Sequence, residues 1–231
     1  MENITIKLPD GSKKELPSGS NGFDLASSIG PGLAKDAVAI TANGLQQDLL
    51  DPLLTGSEVS IITIKSPEGL EIMRHTLTAQ VLASAIKNLY PDAKLAIGPT
   101  IEDGFYYDFL PTKAISIDDL PQIEDEMKNI LSNCSQINKT YHTKEEALNM
   151  FDNLEEGFKS EIICDAEQND NFQIYTQKLS GFIDLCKGPH LPNLDHIGAF
   201  KLTKVSGAYW RGDSSKPMLT RIYGTAWNSQ K

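Results

Sequence analysis

The sequence predicts an α+β protein of two domains, covering residues 1–64 and 65–231. Short segments such as Ile4–Leu8 alternate apolar and polar residues and are bounded by turn residues, a pattern typical of half-buried strands. The long segment 66–90 instead has apolar residues near helical spacing. Strand-like segments recur between residues 172 and 223, which predicts an antiparallel sheet packed on helices.

In the first domain, the pattern predicts two strands, a helix and further strands. Asn43-Gly44 is a strong hairpin signal, and Gly30-Pro31-Gly32 predicts the end of the helix. These elements, within about 64 residues, make a compact α+β unit. The predicted strands are 4–8, 13–16, 37–42, 45 onward and 58–64, and the predicted helix has Phe23, Leu25, Ala26 and Ile29 on one face.

The second domain begins after a short linker at Lys65 with a helix that Ser66 caps and Pro91 stops. Further along the chain, Thr143 and Glu146 form a capping box for another helix. The remaining predicted elements are a hairpin turning at Asp103-Gly104 between strands 94–97 and 105–108, an acidic helix from Ser116 to about Cys134, strand 138–142, a helix opened by Phe158-Lys159, and strands 172–178, 181–185, 200–206 and 219–223.

Composition and charge limit the class of protein. Forty per cent hydrophobic and 23 per cent charged residues are ordinary for a globular protein, and no apolar run approaches the roughly 20 residues of a membrane helix. Three cysteines do not suggest a disulfide framework, which favours a reducing cytoplasm. The net charge of −10 argues against indiscriminate nucleic-acid binding. Because residues 157–231 carry +2 and residues 1–156 carry −12, an RNA partner would have to meet the C-terminal portion.

A carboxylate, a thiol and an imidazole fall within seven residues in the stretch 180–190. A strand through this stretch places Asp184 and Cys186 on one face, and Gly188-Pro189 then turns the chain before His190. Such a corner can be structural, with its polar groups satisfying one another. Three reactive groups gathered at the end of one strand nevertheless favour a functional site.

Three motifs of the chain closely resemble the editing region of the threonyl-tRNA synthetase family; they are DLCKGPH at 184–190, HIGAFKL at 196–202 and VSGAYWRGD at 205–213. The resemblance covers nearly the whole chain, up to Trp227, and the motifs are long and specific. Residues 1–64 resemble the ubiquitin-like (β-grasp) TGS module of these synthetases, which implies a spacer or a weak RNA-contact module. Residues 65–231 resemble their editing domain.

The resemblance implies hydrolysis of serine wrongly esterified to threonine tRNA. Serine lacks one methyl group of threonine, a difference worth only about 1–3 kcal/mol in a binding pocket, so that a second, hydrolytic site is needed. By resemblance, Asp184 would hold the serine amino group or hydroxyl, while Lys159 and His75 would manage the water and the leaving oxygen. Cys186 and His190 would shape the pocket.

The segment after His75 departs from the family pattern. The family places two histidines four residues apart, whereas here Gln80 stands where the second is expected, five residues after His75. On a straight helix, residues five apart diverge by about 140°, and Thr76 instead shares a face with Gln80. A π-bulge would absorb the extra residue and return His75 to the site. The bulge is favoured because the Asp184–His190 stretch makes little chemical sense without an imidazole opposite it.

Because Gln80 and Thr76 share a face of this predicted helix, both are candidate substrate-binding residues. A third candidate is Tyr107, which by resemblance matches a substrate-site tyrosine. Its neighbour Tyr106 alternates with it along the same strand and is expected to pack in the core.

The cluster allows three kinds of chemistry. His75, Cys186 and His190 could supply three metal ligands, although Gln80 is a poor ligand for zinc. Cys186 could act as a nucleophile if a base such as His190 activates it. Water-mediated ester hydrolysis needs only side chains that position water and the terminal ribose. The family resemblance implies the third chemistry, without a metal.

The resemblance also implies partners and cofactors. The partner would be the acceptor end of threonine tRNA, in the cytoplasm and with no membrane, and the chain would be an N-terminal fragment that does not make threonyl-tRNA. ATP, magnesium and zinc are expected only in a catalytic domain beyond this fragment; the full-length enzyme is expected to be a homodimer and the fragment a monomer. The candidate tRNA-binding residues are Lys187, Lys201, Lys204, Arg211 and Arg221. Two alternatives are an acceptor-arm binding module with a decayed site and a free-standing factor that edits in trans.

Overall fold

The computed structural model describes residues 3–133 and 136–229. The helices are α1 (Gly22–Ile29), α2 (Pro31–Asp36), α3 (Pro67–Thr76), α4 (Ala83–Leu89), α5 (Leu120–Asn133), α6 (Lys144–Asn153) and α7 (Gly157–Asp165). The strands are β1 (Asn3–Lys7), β2 (Lys13–Pro17), β3 (Ala37–Ala42), β4 (Leu45–Asp48), β5 (Val59–Thr63), β6 (Lys94–Leu95), β7 (Thr100–Ile101), β8 (Gly104–Leu110), β9 (Ile137–His142), β10 (Phe172–Gln177), β11 (Ile183–Leu185), β12 (Ala199–Tyr209) and β13 (Met218–Trp227).

The chain divides into two compact units. One comprises Met1–Met73 with Gly188–His196, and the other comprises Arg74–Lys187 with Ile197–Lys231. The division falls inside α3, so the domain boundary after residue 64 stays a prediction.

The first unit packs two small antiparallel sheets around α1. β1 pairs with β2, β3 lies between β4 and β5, and a parallel bridge joins Lys7 to Glu58. Ile6, Leu25 and Ile40 are fully buried in the shared core. This arrangement confirms the β-grasp expected for the N-terminal residues.

Two details of the first unit differ from expectation. Leu25 is buried as predicted, but Phe23 is 45% and Ile29 47% exposed. Phe23 lies about 160° from Leu25 around the helix axis, and Ile29 is the last residue of α1. Gly30 ends this helix, but Pro31 immediately begins α2, because proline is well suited to the first helical position.

The second unit contains two antiparallel sheets where the sequence suggests one. The larger has the order β12-β13-β8-β6, with β7 also paired to β8, and the smaller has the order β11-β10-β9. In the larger sheet, Tyr107 lies opposite Ile222 and Asp108 lies opposite Arg221. Phe105, Tyr107 and Phe109 alternate along β8 and are fully buried, which defines the core face of this sheet.

The helices of this unit begin at the predicted caps. Ser116 caps a 3₁₀ turn, Ile117–Asp119, that leads into α5, and Thr143 forms a capping box with Glu146 at the start of α6. Cys134, the expected end of the acidic helix, lies outside the described residues. Within the described ranges, no helix combines the length and the apolar character needed to span a bilayer.

We expect Gly104→Ala to destabilise the second unit, because β8 and β13 approach too closely there for a side chain. A Cβ at Gly104 would lie 2.1 Å from the carbonyl oxygen of Gly224, a backbone atom that cannot move without the sheet. Overpacking of this kind typically lowers the free energy of unfolding by about 1–3 kcal/mol. Urea unfolding followed by tryptophan fluorescence measures it, since Trp210 and Trp227 both lie in this unit.

The matched control is Gly157→Ala, because a Cβ at Gly157 would meet nothing within 4 Å. An equal loss of stability in both variants would contradict the close approach of the two strands.

Candidate active site

A π-helical segment, Leu77–Leu82, lies between α3 and α4. The N–H of Ala83 donates to the carbonyl oxygen of Thr78, five residues back, and not to the α-helical partner four residues back. The wider turn leaves the carbonyl of Gln80 available to a side-chain donor, Gln177 Nε2, at 2.6 Å. The predicted π-bulge between His75 and Gln80 is therefore confirmed.

The π segment leaves His75 beside the thiol of Cys186. Nε2 of the imidazole lies 2.9 Å from Sγ of Cys186. Cys186 directly follows β11, and its backbone N–H donates to the carbonyl oxygen of Gln173 on β10 at 3.2 Å. The smaller sheet thus fixes the position of the thiol, and the predicted approach of His75 to Cys186 is confirmed.

Lys159 and Asp184 form a buried ion pair beside this contact. Lys159 Nζ lies 2.6 Å from Asp184 Oδ1, and the side chains are only 5% and 3% exposed. Burial raises the pKa of Asp184 above its usual range, although the ammonium group of Lys159 opposes this rise. Lys159 is not the solvated surface charge that a lone lysine usually is.

These four side chains open onto one cavity of about 1080 Å³. This volume lies slightly above the range of about 300–1,000 Å³ typical of small-molecule sites. The cavity is therefore larger than an amino acid alone requires. Its lining comprises His75, Ala79, Ile97, Gly98, Pro99, Lys159, Ile162, Asp165, Ala166, Glu167, Gln168, Asn171, Phe172, Gln173, Asp184, Leu185, Cys186, Lys187 and Arg211.

Gln80 and Thr76 do not line this cavity, because both are completely buried in the helical segment. The carboxamide of Gln80 has no hydrogen-bond partner among the described residues. Ala79 reaches the cavity wall in its place, four residues after His75. The expectation that Gln80 and Thr76 contact the substrate does not fit this geometry, because both side chains are enclosed and the residue that shares the cavity face with His75 is Ala79, four positions on.

Tyr107 is also enclosed and does not line the cavity. Its ring packs so closely on Gly98 that a Cβ there would lie 2.2 Å from Tyr107 Cδ2. Burial raises the pKa of Tyr107 well above its ordinary value, and the nearby carboxylate of Asp184 raises it further. Neither tyrosine therefore takes its expected place: Tyr107 packs in the core, and Tyr106 is half-buried on the opposite face of the sheet, where it also does not line the cavity.

His190 belongs to the first compact unit, within Gly188–His196. It is buried, and its backbone N–H donates to Oδ1 of Asp48 at 2.9 Å. Its role in shaping the pocket stays a prediction.

The candidate tRNA-binding residues fall into two groups. Lys187 and Arg211 line the cavity and are exposed. The other three lie on the larger sheet. Lys201 pairs with Glu124 at 2.9 Å, and the ammonium group of Lys204 lies 5.4 Å from the centroid of the Tyr223 ring.

Arg221 makes a bidentate ion pair with the buried carboxylate of Asp108, at 2.7 and 2.8 Å. Its guanidinium group also lies 3.8 Å from the centroid of the Tyr106 ring. The side chain is therefore already held by structural contacts, and its assignment to RNA binding stays a prediction.

Sequence reasoning missed the ion pair of Arg221 with Asp108 and the acidic residues at the cavity rim, Asp165 and Glu167. Nothing in their local sequence distinguishes these residues from ordinary surface charges.

Two segments of the chain match known families. Residues 4–63 match the TGS domain, and residues 173–223 match the threonyl and alanyl tRNA synthetase second additional domain. The second match contains Asp184, Cys186 and Arg211, and so covers about a third of the residues that line the cavity. The second of these domains is named for its occurrence in two aminoacyl-tRNA synthetases.

Curated relatives narrow this class. A threonine–tRNA ligase of Citrifermentans bemidjiense is 47% identical over 231 residues, which are 100% of this chain and 36% of the relative. One of Geobacter sp. (strain M21) is 46% identical over the same coverage, and one of Francisella tularensis subsp. novicida is 45% identical over 228 residues, 99% of this chain and 35% of the relative. The whole chain thus matches the N-terminal region of threonine–tRNA ligases. It spans about 36% of the length of the first of these relatives.

We expect Lys159→Met alone to destabilise the second unit by about 3–5 kcal/mol, because it leaves the Asp184 carboxylate buried without its cation. The double variant Lys159→Met/Asp184→Leu should recover most of this loss, since an apolar pair of similar volume avoids burying charge. Urea unfolding measures both variants. Lys128→Met, which breaks an exposed pair with Asp125, is the control and should have no measurable effect. A single variant as stable as the wild type would contradict the buried pair.

We expect Tyr107→Phe to change the dependence of stability on alkaline pH. Because the pKa of Tyr107 is raised in the folded state, its contribution to stability is present below the unfolded pKa of about 10 and is lost as pH rises above it. Relative to its own stability near neutral pH, the variant should therefore lose less stability than the wild type does above about pH 10. Urea unfolding near neutral pH and above about pH 10 measures this difference in the free energy of unfolding. Tyr141→Phe, at an exposed tyrosine, should follow the wild type at both.

Proposed function

We propose that this chain is the proofreading part of a threonine–tRNA ligase and hydrolyses the ester between serine and threonine tRNA. The observation that carries the proposal is the meeting of His75, Cys186, Lys159 and Asp184 on one cavity wall. An imidazole, a thiol and a buried ammonium–carboxylate pair supply the groups that ester hydrolysis requires.

The reaction we propose begins with a water molecule held by His75. The imidazole accepts a proton as the water oxygen attacks the carbonyl carbon of the seryl ester. The tetrahedral intermediate then loses the ribose oxygen, which takes up the proton as the carbon–oxygen bond breaks. The products are free serine and a tRNA with a free terminal hydroxyl group. Cys186 holds the imidazole ring in one orientation through the 2.9 Å contact.

The buried pair would act on the charges of this reaction. Lys159 is in the first turn of α7, and its ammonium group can stabilise the oxyanion of the intermediate in surroundings of low dielectric constant. Asp184 can accept a hydrogen bond from the amino group or the hydroxyl of serine. Its pairing with Lys159 limits how far either group moves, so that a small change in substrate position alters the reaction strongly.

Selection of serine over threonine would rest on the position of the attacking water. One methyl group is worth only about 1–3 kcal/mol in a pocket, which is too little for rejection by size alone. A methyl group that occupies the place of the water would instead prevent the reaction itself. The partner in this scheme is the acceptor end of threonine tRNA, the setting is the cytoplasm, and the longer protein is a homodimer.

A second mechanism has support in the same contact. The distance of 2.9 Å between His75 and Cys186 also suits a base and its nucleophile. Cys186 would then form a thioester with serine before water releases it. The two mechanisms differ in the activity that they predict for Cys186→Ala. The substitution abolishes hydrolysis by a covalent pathway and only slows hydrolysis by the water-mediated pathway.

We expect the purified chain to hydrolyse seryl-tRNA for threonine in preference to threonyl-tRNA. His75→Ala should lower the rate by about 10²–10⁴-fold, because it removes a general base. Release of labelled serine from the tRNA measures the rate. Gln80→Met is the matched control on the same helical segment and should retain the rate, since the carboxamide does not reach the cavity.

If seryl-tRNA is as stable with ample enzyme as it is in buffer alone, the hydrolase proposal is wrong. The alternative of an acceptor-arm binding module would then remain. If Gln80→Met loses as much activity as His75→Ala, the cavity is not the reaction site. Retained activity in Cys186→Ala supports the water-mediated pathway.

A further inference from the structure

Arg211 is held at the cavity rim in an unusual backbone conformation. Its φ of 55° and ψ of 22° lie in the left-handed region, which is costly for a residue other than glycine. Its guanidinium group lies 5.2 Å from the centroid of the Trp210 ring. The neighbouring Trp210 is buried and donates from Nε1 to Glu161 at 3.0 Å, which anchors the segment. The surrounding structure thus forces Arg211 into this position.

At the rim, Nη1 of Arg211 pairs with the carboxylate of Asp165, the last residue of α7, and lies farther, at 3.4 Å, from the carboxylate of Glu161. We name Arg211 and Asp165 the rim pair. Their side chains are 38% and 55% exposed, so the ion pair is solvated and weak. The pair is therefore easily replaced by a stronger anionic partner.

We propose that the rim pair opens when RNA binds and that Arg211 exchanges Asp165 for a backbone phosphate of the single-stranded acceptor end. This inference rests on the proposed function and deepens it: it names the group that the cavity rim recognises and the carboxylate that competes for the same cation.

The charges that line the cavity place the contact with a phosphate at the rim. The cations lining it among the described residues are Lys159, Lys187 and Arg211, and the anions are Asp165, Glu167 and Asp184. Lys159 is paired with Asp184 inside the cavity, so a phosphate can be met only by the rim cations, and by Arg211 only when it gives up Asp165. Arginine suits this role because its planar fork binds phosphate oxygens in bidentate fashion, whereas the carboxylate of Asp165 repels the same group.

The size of the cavity agrees with a ligand that extends to the rim. A volume of about 1080 Å³ exceeds what a seryl group needs beside His75 and Asp184. A terminal nucleotide can occupy the remaining space, with its phosphate near the mouth. Asp165 then keeps Arg211 in place when the site is empty.

The test measures binding of a 5′-labelled single-stranded RNA ending in CCA by fluorescence anisotropy, over a range of salt concentrations. Arg211→Gly should weaken binding by about tenfold, because one charge-assisted contact is lost. It should also reduce the slope of log affinity against log salt by about 0.7, the value for one phosphate on a single strand. Glycine relieves the left-handed backbone, so the variant should fold at least as well as the wild type.

Asp165→Asn should have the opposite effect and tighten binding by about two- to fivefold, because the competing partner of Arg211 is removed. This gain should largely disappear in the double variant Asp165→Asn/Arg211→Gly. Glu167→Gln is the matched control: it removes the same charge from the cavity rim and should tighten binding less than Asp165→Asn.

An unchanged affinity and salt slope in Arg211→Gly would overturn the proposal. So would an equal gain from Asp165→Asn with and without Arg211, because that result indicates only general charge repulsion. Binding is measured apart from hydrolysis, so the two proposals can fail separately. If RNA affinity changes as expected in the rim-pair variants but the chain does not hydrolyse seryl-tRNA, only the proposed function is contradicted. If the chain hydrolyses seryl-tRNA and Arg211→Gly changes neither RNA binding nor hydrolysis, only this inference is contradicted.

Discussion

The contact between Nε2 of His75 and Sγ of Cys186, at 2.9 Å, is the interaction on which the chemistry of the cavity depends, and His75 lies at the end of α3, directly before the π-helical segment Leu77–Leu82. Residues on a regular helix rotate by about 100° each, so that one extra residue without a wider turn would direct the imidazole elsewhere. The segment is held by contacts outside the helix. Gln177 binds the freed carbonyl of Gln80, and the hydroxyl of Thr78 donates to the carbonyl of Tyr106 at 3.0 Å. Strands β8 and β10 thus each hold the π-helical segment through one hydrogen bond.

The protonation and the stability of the buried pair of Lys159 and Asp184 also depend on the residues that surround it. Removing two charges from water is expensive, and burial already raises the pKa of Asp184. Such a pair adds little net stability compared with an apolar pair. Its retention at a cavity wall is better explained by function, because charges in a dry, fixed site act strongly on a bound ester.

Local sequence signals were sufficient for most of the fold and for part of the site. Asn43-Gly44 predicted its hairpin because both residues favour positive φ, and they adopt 50° and 84°. Thr143 and Glu146 predicted a capping box for an equally local reason. The placement of Gln80, Tyr107 and Arg221 could not be obtained in this way, because it depends on which face of each element meets a distant strand. The family resemblance identified Lys159, but its burial follows only from the packing of α7.

Helix α7 carries two parts of the site on nine residues. Lys159 lies near its beginning, buried with Asp184, and Asp165 is its last residue, at the rim. The two residues are six positions apart, which corresponds to about 9 Å along the helix axis. The distance between the buried ammonium group and the rim carboxylate is therefore set by helix geometry and not by a loop.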